Sequence, residues 1–243
     1  MVESTSDWMK ELLNDNNFEH KTEFSYDLCL SMFEDCAKDL DNINIFYILR
    51  PIWEITKAFK SLSSALSVGF SDITSKVQVW RDNIKKYYPD AKSCQDIIER
   101  EISLKLHELN GENNSDKGHK KKTPYYEYTS CTRTLLRLSW FLDFFNNILV
   151  NSLTKTDKDF SDCIKLAYEK ALAPHHPWLV RKGASVGMSF APSKREKAMK
   201  SFFGVEKWDD DIKEKCKKLS AAVETVWKKV YEIYESKKLL ELP

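Results

Sequence analysis

The chain has 243 residues, 42% of them hydrophobic, with only six Gly and seven Pro. That composition can fill the core of one large domain, and long segments without Gly or Pro favour helices over a turn-rich β fold. Thirty-eight basic residues against 37 acidic leave a net charge of +1, so no global field draws the protein to nucleic acid or to a membrane.

The first 22 residues are polar and mixed. Trp8, Leu12 and Leu13 suit a short helix there at most, and the segment is expected to be loose. Its opening stretch, MVESTSDWMKELLNDNN, has no apolar core of a secretory signal, so none is expected. Residues 25–38 carry Cys29, Met32, Phe33 and Cys36 at helical spacing. A longer helix is predicted over 44–68, with Pro51 in its early turns and Trp53, Ile55, Phe59 and Leu62 as apolar positions. Gly69 is expected to interrupt it, with helix resuming from Asp72 to Tyr87, where Tyr88-Pro89 is a stop. The next helix is predicted over 93–109, around Ile97, Ile98, Ile102, Leu104, Leu106 and Leu109. Residues 110–124 then break the pattern with a polar loop ending in Lys120, Lys121 and Lys122.

The stretch from Thr129 to Val150 is the central helix, with two patterned faces. Leu135, Leu138, Leu142, Phe145 and Leu149 recur in alternating steps of three and four, the signature of a face packed on other helices. Arg133, Arg137, Phe141, Phe144 and Ile148 form a second stripe, cationic at one end and apolar at the other. Helices follow over 159–173, from Pro177 to about Phe190, over 193–203 and over 209–238. The sum is one all-α domain of about eight helices. No apolar run approaches the roughly 18 residues of a membrane span. The six Cys, at 29, 36, 94, 131, 163 and 216, form no CxxC pair, which suits reduced core residues of a cytosolic protein and no zinc site.

The polar residues admit two readings. Arg133 and Arg137 make either a solvated face or a site for a ligand with an anionic head and an apolar tail. Asp72 and Lys76, four apart, make either a surface ion pair or part of the same site. Three converging cations would suit a phosphate monoester, which carries about −1.5 to −2 charges at neutral pH. Asp72 would repel phosphate, so its acceptor-only carboxylate suits an amide N–H or a hydroxyl instead. His176 is either a cap or core histidine or a donor to a carbonyl. With His175 it makes a poor metal pair, because neighbours on a helix point about 100° apart. Gly183-Ala184-Ser185-Val186-Gly187 fits G-x-S-x-G, but a nucleophile elbow needs a preceding strand, and this stretch reads as helix. No enzyme activity, metal or cofactor is expected.

FSDITSK at 70–76, CTRTLLRL at 131–138, APHHPW at 173–178 and LLELP at 239–243 together resemble the glycolipid transfer protein superfamily, in its ceramide-1-phosphate transfer branch. The resemblance covers roughly residues 40–243. It implies a two-layer helical sandwich enclosing a lipid pocket: a single lipid-transfer domain over 23–243, an added segment over 1–22 and a polar insertion at 110–124. It implies that Asp72 and His176 hold a ceramide amide, and that Lys76, Arg133 and Arg137 hold the phosphate. Sugar-binding members carry Trp at the position of Arg137 and Asn at that of Lys76, so both residues favour phosphate over sugar. One departure is Trp140, where the branch can carry a further arginine. Phe141, Phe144 and Ile148 are then candidates for the chain pocket, and Trp178 with Lys120, Lys121 and Lys122 for membrane contact. The expected function is a cytosolic, monomeric carrier of ceramide-1-phosphate or a related phosphorylated sphingolipid. It touches membranes briefly and has no nucleic-acid partner. The alternatives are a non-transferring sphingolipid sensor or scaffold, and a glycolipid carrier.

Overall fold

The apolar periodicity is realised as helix in the computed structural model, which describes residues 7–19, 23–62, 64–111 and 125–243. Ten α-helices lie among those residues: α1 (Asp7–Leu13), α2 (Tyr26–Ala37), α3 (Ile45–Leu62), α4 (Ser64–Tyr87), α5 (Cys94–Ser103), α6 (Cys131–Thr154), α7 (Phe160–Ala171), α8 (Trp178–Ser189), α9 (Arg195–Phe203) and α10 (Asp210–Ser236). The expected all-α fold is observed, with the short helices anticipated near Trp8 and over 193–203 present as α1 and α9. Polar side chains start several of them. Ser25, Ser93, Ser130 and Asp209 each accept from a backbone N–H three residues on, satisfying donors a helix start leaves bare.

The helices form two layers. In one, α3 lies against α4 and α2; in the other, α6 lies between α7 and α10, and α4 meets α6 where the layers face. Both apolar stripes of α6 are buried, Leu135, Leu138, Leu142, Phe145 and Leu149 among them. A cluster of phenylalanines fills the space between the layers. Phe59 stacks on Phe70 at 4.3 Å between ring centres and on Phe144 at 5.9 Å, and its edge meets Phe145 and Phe202.

Four local expectations are corrected. Gly69 does not interrupt: α4 runs unbroken from Ser64, because one glycine costs a helix only about 1 kcal/mol, which packing exceeds. The helix predicted over 93–109 ends at Ser103. Lys105 takes a left-handed backbone (φ 56°), and Leu106 and Leu109 are buried from turns instead, while Leu104 points to solvent. Pro177 precedes α8 as its cap residue and is not its first helical residue. The segment around α1 is not loose. Leu12 and Phe18 are buried, and Arg81 of α4 donates to the Leu12 carbonyl (2.8 Å), pairs with Asp15 (2.7 Å) and lies over the Phe18 ring.

The start of α6 is fixed by one buried carboxylate. Glu101 of α5 is fully buried and accepts four hydrogen bonds: from the Tyr128 hydroxyl, from Ser130 Oγ (2.6 Å), and from the N–H groups of Cys131 (2.6 Å) and Thr132 (2.8 Å). An anion at a helix N-terminus is favourable, and here it replaces water at donors that are themselves buried. We expect Glu101→Ala to destabilise the fold by about 3 kcal/mol or more, since each buried donor left unpaired costs about 1–3 kcal/mol. Urea denaturation measures this, and a loss under about 1 kcal/mol would refute it.

Candidate functional site

Two helices and one turn converge at one end of the sandwich. From α4 come Asp72 and Lys76, which are ion-paired with each other and share one helix face. From the first two turns of α6 come Arg133 and Arg137. The turn between α7 and α8 supplies His175 and His176. Asp72, Lys76, Arg137 and His176 line one cleft of about 490 Å³. Arg133 sits one turn before Arg137, and the two guanidiniums share an acceptor, the main-chain oxygen of Pro243. The structure therefore brings together all five residues singled out for the head of a ligand.

The electrostatics follow from partial burial. Burial lowers the pKa of Arg137 to about 10, with the neighbouring charge of Arg133 adding to it. Burial lowers that of Arg133 too, against the pull of Asp72. Both stay charged at neutral pH. Among the described residues neither guanidinium pairs with a carboxylate side chain. Arg133 donates to Asn110 Oδ1 (3.0 Å), and Arg137 to the Arg133 carbonyl (2.8 Å). Two guanidiniums side by side and half out of water offer N–H donors suited to an anion.

His176 contributes a different chemistry. Its Nδ1 lies 3.0 Å from the Tyr168 hydroxyl, which fixes the ring and leaves Nε2 as the ring nitrogen for other partners. Asp72 is mostly exposed, 66% by side chain, and stands across the cleft as an acceptor. Sequence reasoning missed Tyr168, Asn110 and the pair formed by His175 and Trp140. Those two rings stack at 3.7 Å, nearly parallel, with Arg137 over Trp140. Such contacts join distant segments, so no local spacing signals them.

The apolar end departs from expectation. Phe141 lines the cleft beside Phe70. Phe144 and Ile148 do not reach its wall; both are buried behind it, Phe144 against Phe59. At the surface next to the cleft, α8 turns its apolar residues outward. Trp178, Leu179 and Phe190 are 60%, 74% and 62% exposed, and Lys182 lies 4.0 Å over the Trp178 ring. Ser185 is exposed in the middle of this helix, so the G-x-S-x-G match is no nucleophile elbow. Lys120, Lys121 and Lys122, with most of the 110–124 loop, lie outside the described residues. The loop's two ends are joined, with Gly111 N–H bonded to the Tyr128 carbonyl (3.0 Å) beside Arg133.

An all-helical two-layer fold with a cationic cleft that runs down to aromatic residues defines a class of lipid-binding protein. The profile of the glycolipid transfer protein (GLTP) family matches residues 47–204, and the chain belongs to that family. It is similar to the ceramide-1-phosphate transfer protein of Xenopus tropicalis, 27% identical over 230 residues that cover 90% of this chain and 97% of that one. The Danio rerio ceramide-1-phosphate transfer protein is 25% identical over 224 residues, covering 90% and 98%. Among solved structures, human ceramide-1-phosphate transfer protein in complex with 12:0 ceramide-1-phosphate superposes with a TM-score of 0.74 at 20% identity, over 90% of this chain and 100% of that one.

The histidines make stability pH-dependent. Burial holds both His175 and His176 below the ordinary value near 6.5. For His175 Glu241 opposes the shift and Arg137 adds to it; for His176 Asp72 opposes it, and His175 and Lys76 add. The unfolded chain therefore takes up protons first. The stability from keeping these rings neutral is complete above about pH 6.5 and is lost as pH falls through the lower folded values. We expect the urea midpoint to drop between pH 7 and 5.5, and the double variant His175→Gln/His176→Gln to flatten that slope. An unchanged slope would show that these rings do not set it.

Proposed function

We propose that this protein binds ceramide-1-phosphate, or a closely related phosphorylated sphingolipid, and moves it between membranes without covalent chemistry. The observation that carries the reading is the meeting of Lys76 and Arg137, from two separate helices, in one cleft that Phe70 and Phe141 also line, with Arg133 one turn away on the same acceptor as Arg137. Guanidinium forks suit phosphate oxygens, and Lys76 adds a compact charge. Asp72 accepts the ceramide amide N–H, and His176 Nε2 donates to the amide carbonyl. The relatives named above carry the same lipid in their names, which supports the choice of headgroup.

The chains need room that the aromatic cluster fills. They enter by parting Phe59 and Phe70 from Phe141 and Phe144, and each buried CH₂ returns about 0.8 kcal/mol. Affinity then comes largely from the chains, and identity from the head. Docking on the bilayer falls to α8, where Trp178 takes the headgroup level and Leu179 and Phe190 press into the surface. Lys120 to Lys122 add attraction to anionic lipid of about 1 kcal/mol per charge. We read residues 23–243 as one lipid-transfer domain, residues 1–22 as an added segment and 110–124 as an insertion. The working form is a monomer in the cytosol.

Transfer of fluorescent ceramide-1-phosphate between vesicles tests this. Arg137→Leu is expected to slow transfer by about tenfold or more with unchanged circular dichroism, because charge-assisted hydrogen bonds contribute about 1.5–3 kcal/mol. Wild-type transfer by that folded variant would remove Arg137 from the site. Binding of the lipid without movement between vesicles would make the protein a sensor, and equal transfer of a sugar-headed lipid would make it a glycolipid carrier. Trp178→Ala is expected to weaken sedimentation with vesicles several-fold while leaving the affinity for short-chain lipid in solution unchanged. Undiminished sedimentation would take α8 out of the docking surface.

A further inference from the structure

The segment that follows α10 enters the same cleft. α10 ends at Ser236, and Lys238 adopts a left-handed backbone (φ 58°) that turns the chain back. The turn is fixed by Leu239, whose N–H donates to the Tyr234 carbonyl (2.8 Å) and whose side chain is buried. Tyr234 in turn donates its hydroxyl to the Thr132 carbonyl (2.6 Å), fastening this end of α10 beside the first turn of α6. Beyond the turn, Leu240 and Leu242 rest half-buried on the core. The main-chain oxygen of Pro243 accepts from Arg133 Nε and from the Arg137 guanidinium, which also reaches the Leu242 carbonyl at 3.4 Å.

We infer that residues 240–243 are an internal strap that occupies the anion half of this site and has to lift before a phosphate-headed ligand binds. The inference rests on the functional reading above. Its basis is that the strap uses the N–H donors a phosphate would need. A guanidinium N–H donates along a fixed direction, and one already spent on a main-chain oxygen is not free for a phosphate oxygen. The strap also keeps two adjacent cations hydrogen-bonded when no ligand is present. Glu241, exposed on the strap and lining the cleft, places a negative charge there while the strap is down. The exchange favours the ligand, because a phosphate monoester brings three acceptor oxygens and about −1.5 to −2 charges to donors that the strap holds through the main-chain oxygens of Leu242 and Pro243. The strap is held by two guanidiniums and two half-buried leucines, a small anchor beside a buried helix. Its cost to the ligand is that only molecules with the strap up can bind, so the apparent Kd is the intrinsic Kd divided by that fraction.

Two measurements on the full chain test the strap. The first compares the natural chain with Leu240→Ser/Leu242→Ser, which loosens the strap and leaves every cleft cation in place. Titration calorimetry with 2:0 ceramide-1-phosphate is expected to give about 3- to 10-fold tighter binding for the variant. Equal or weaker binding would overturn the inference, weaker binding meaning that the strap is a wall of the site. The second places a nitroxide at Glu241→Cys, where the label stands in solvent while the six native cysteines are buried. Its mobility is expected to rise when the short-chain lipid is added, and to be high from the start in an Arg133→Gln/Arg137→Gln background. A label whose mobility responds to neither change overturns the strap. If neither chain binds the lipid, the ligand reading is what fails. Inorganic phosphate then decides the strap: mobilisation of the label supports it, and a motionless label overturns it.

Discussion

Arg133 and Arg137 repel one another, and the helix that carries them keeps them a single turn apart, half out of water. Everything else at this end of the molecule answers that constraint. Glu101 anchors the start of α6 through the N–H groups of Cys131 and Thr132, and so fixes the turn that carries the arginines. Asn110 offers an amide oxygen, the strap offers main-chain oxygens, and Asp72 is taken up by Lys76, while Glu241 lines the cleft without pairing to either guanidinium.

The rest of the sandwich is organised to put that charge at an edge. α3 is buried along most of its length and keeps α4 in line, so that Asp72 and Lys76 face α6. α10 is tied to α6 by Tyr234, and α7 brings the His175–His176 turn to the same rim, where Tyr168 and Trp140 hold one ring each. The polar residues of the cleft are already together in this fold, while Phe59, Phe70, Phe141 and Phe144 are in contact in the interior below them. Aromatic pairs of this kind contribute about 0.5–1.5 kcal/mol each beyond their buried area, so the proposed entry of chains has to displace a cluster of modest contacts.

Exposure of α8 runs against the ordinary logic of an amphipathic helix. Trp178, Leu179, Val180 and Val186 face out while Met188 is buried, and the helix is held to the body through contacts with α4 and α7. No helix among the described residues is long and apolar enough to cross a membrane. The apolar surface of α8 lies directly after the histidine turn, so the face that would meet a lipid layer and the mouth of the cleft adjoin each other.

Much of this was legible in the chain itself. Helical spacing marked the buried face of α6, the positions of its two arginines and the pairing of Asp72 with Lys76, because a period of 3.6 residues places such side chains together whatever surrounds them. Four short motifs in order were enough to indicate the family. The tertiary structure alone decided what lies between segments: that Phe144 and Ile148 pack behind the cleft wall, that α1 docks instead of fraying, that Tyr168 and Trp140 steady the histidines, and that Leu242 and Pro243 reach across to Arg133 and Arg137. The reason is physical. Periodicity reports which face of an element is apolar, whereas a contact between residues a hundred positions apart depends on how layers pack and turns close, and those are set by the whole core at once.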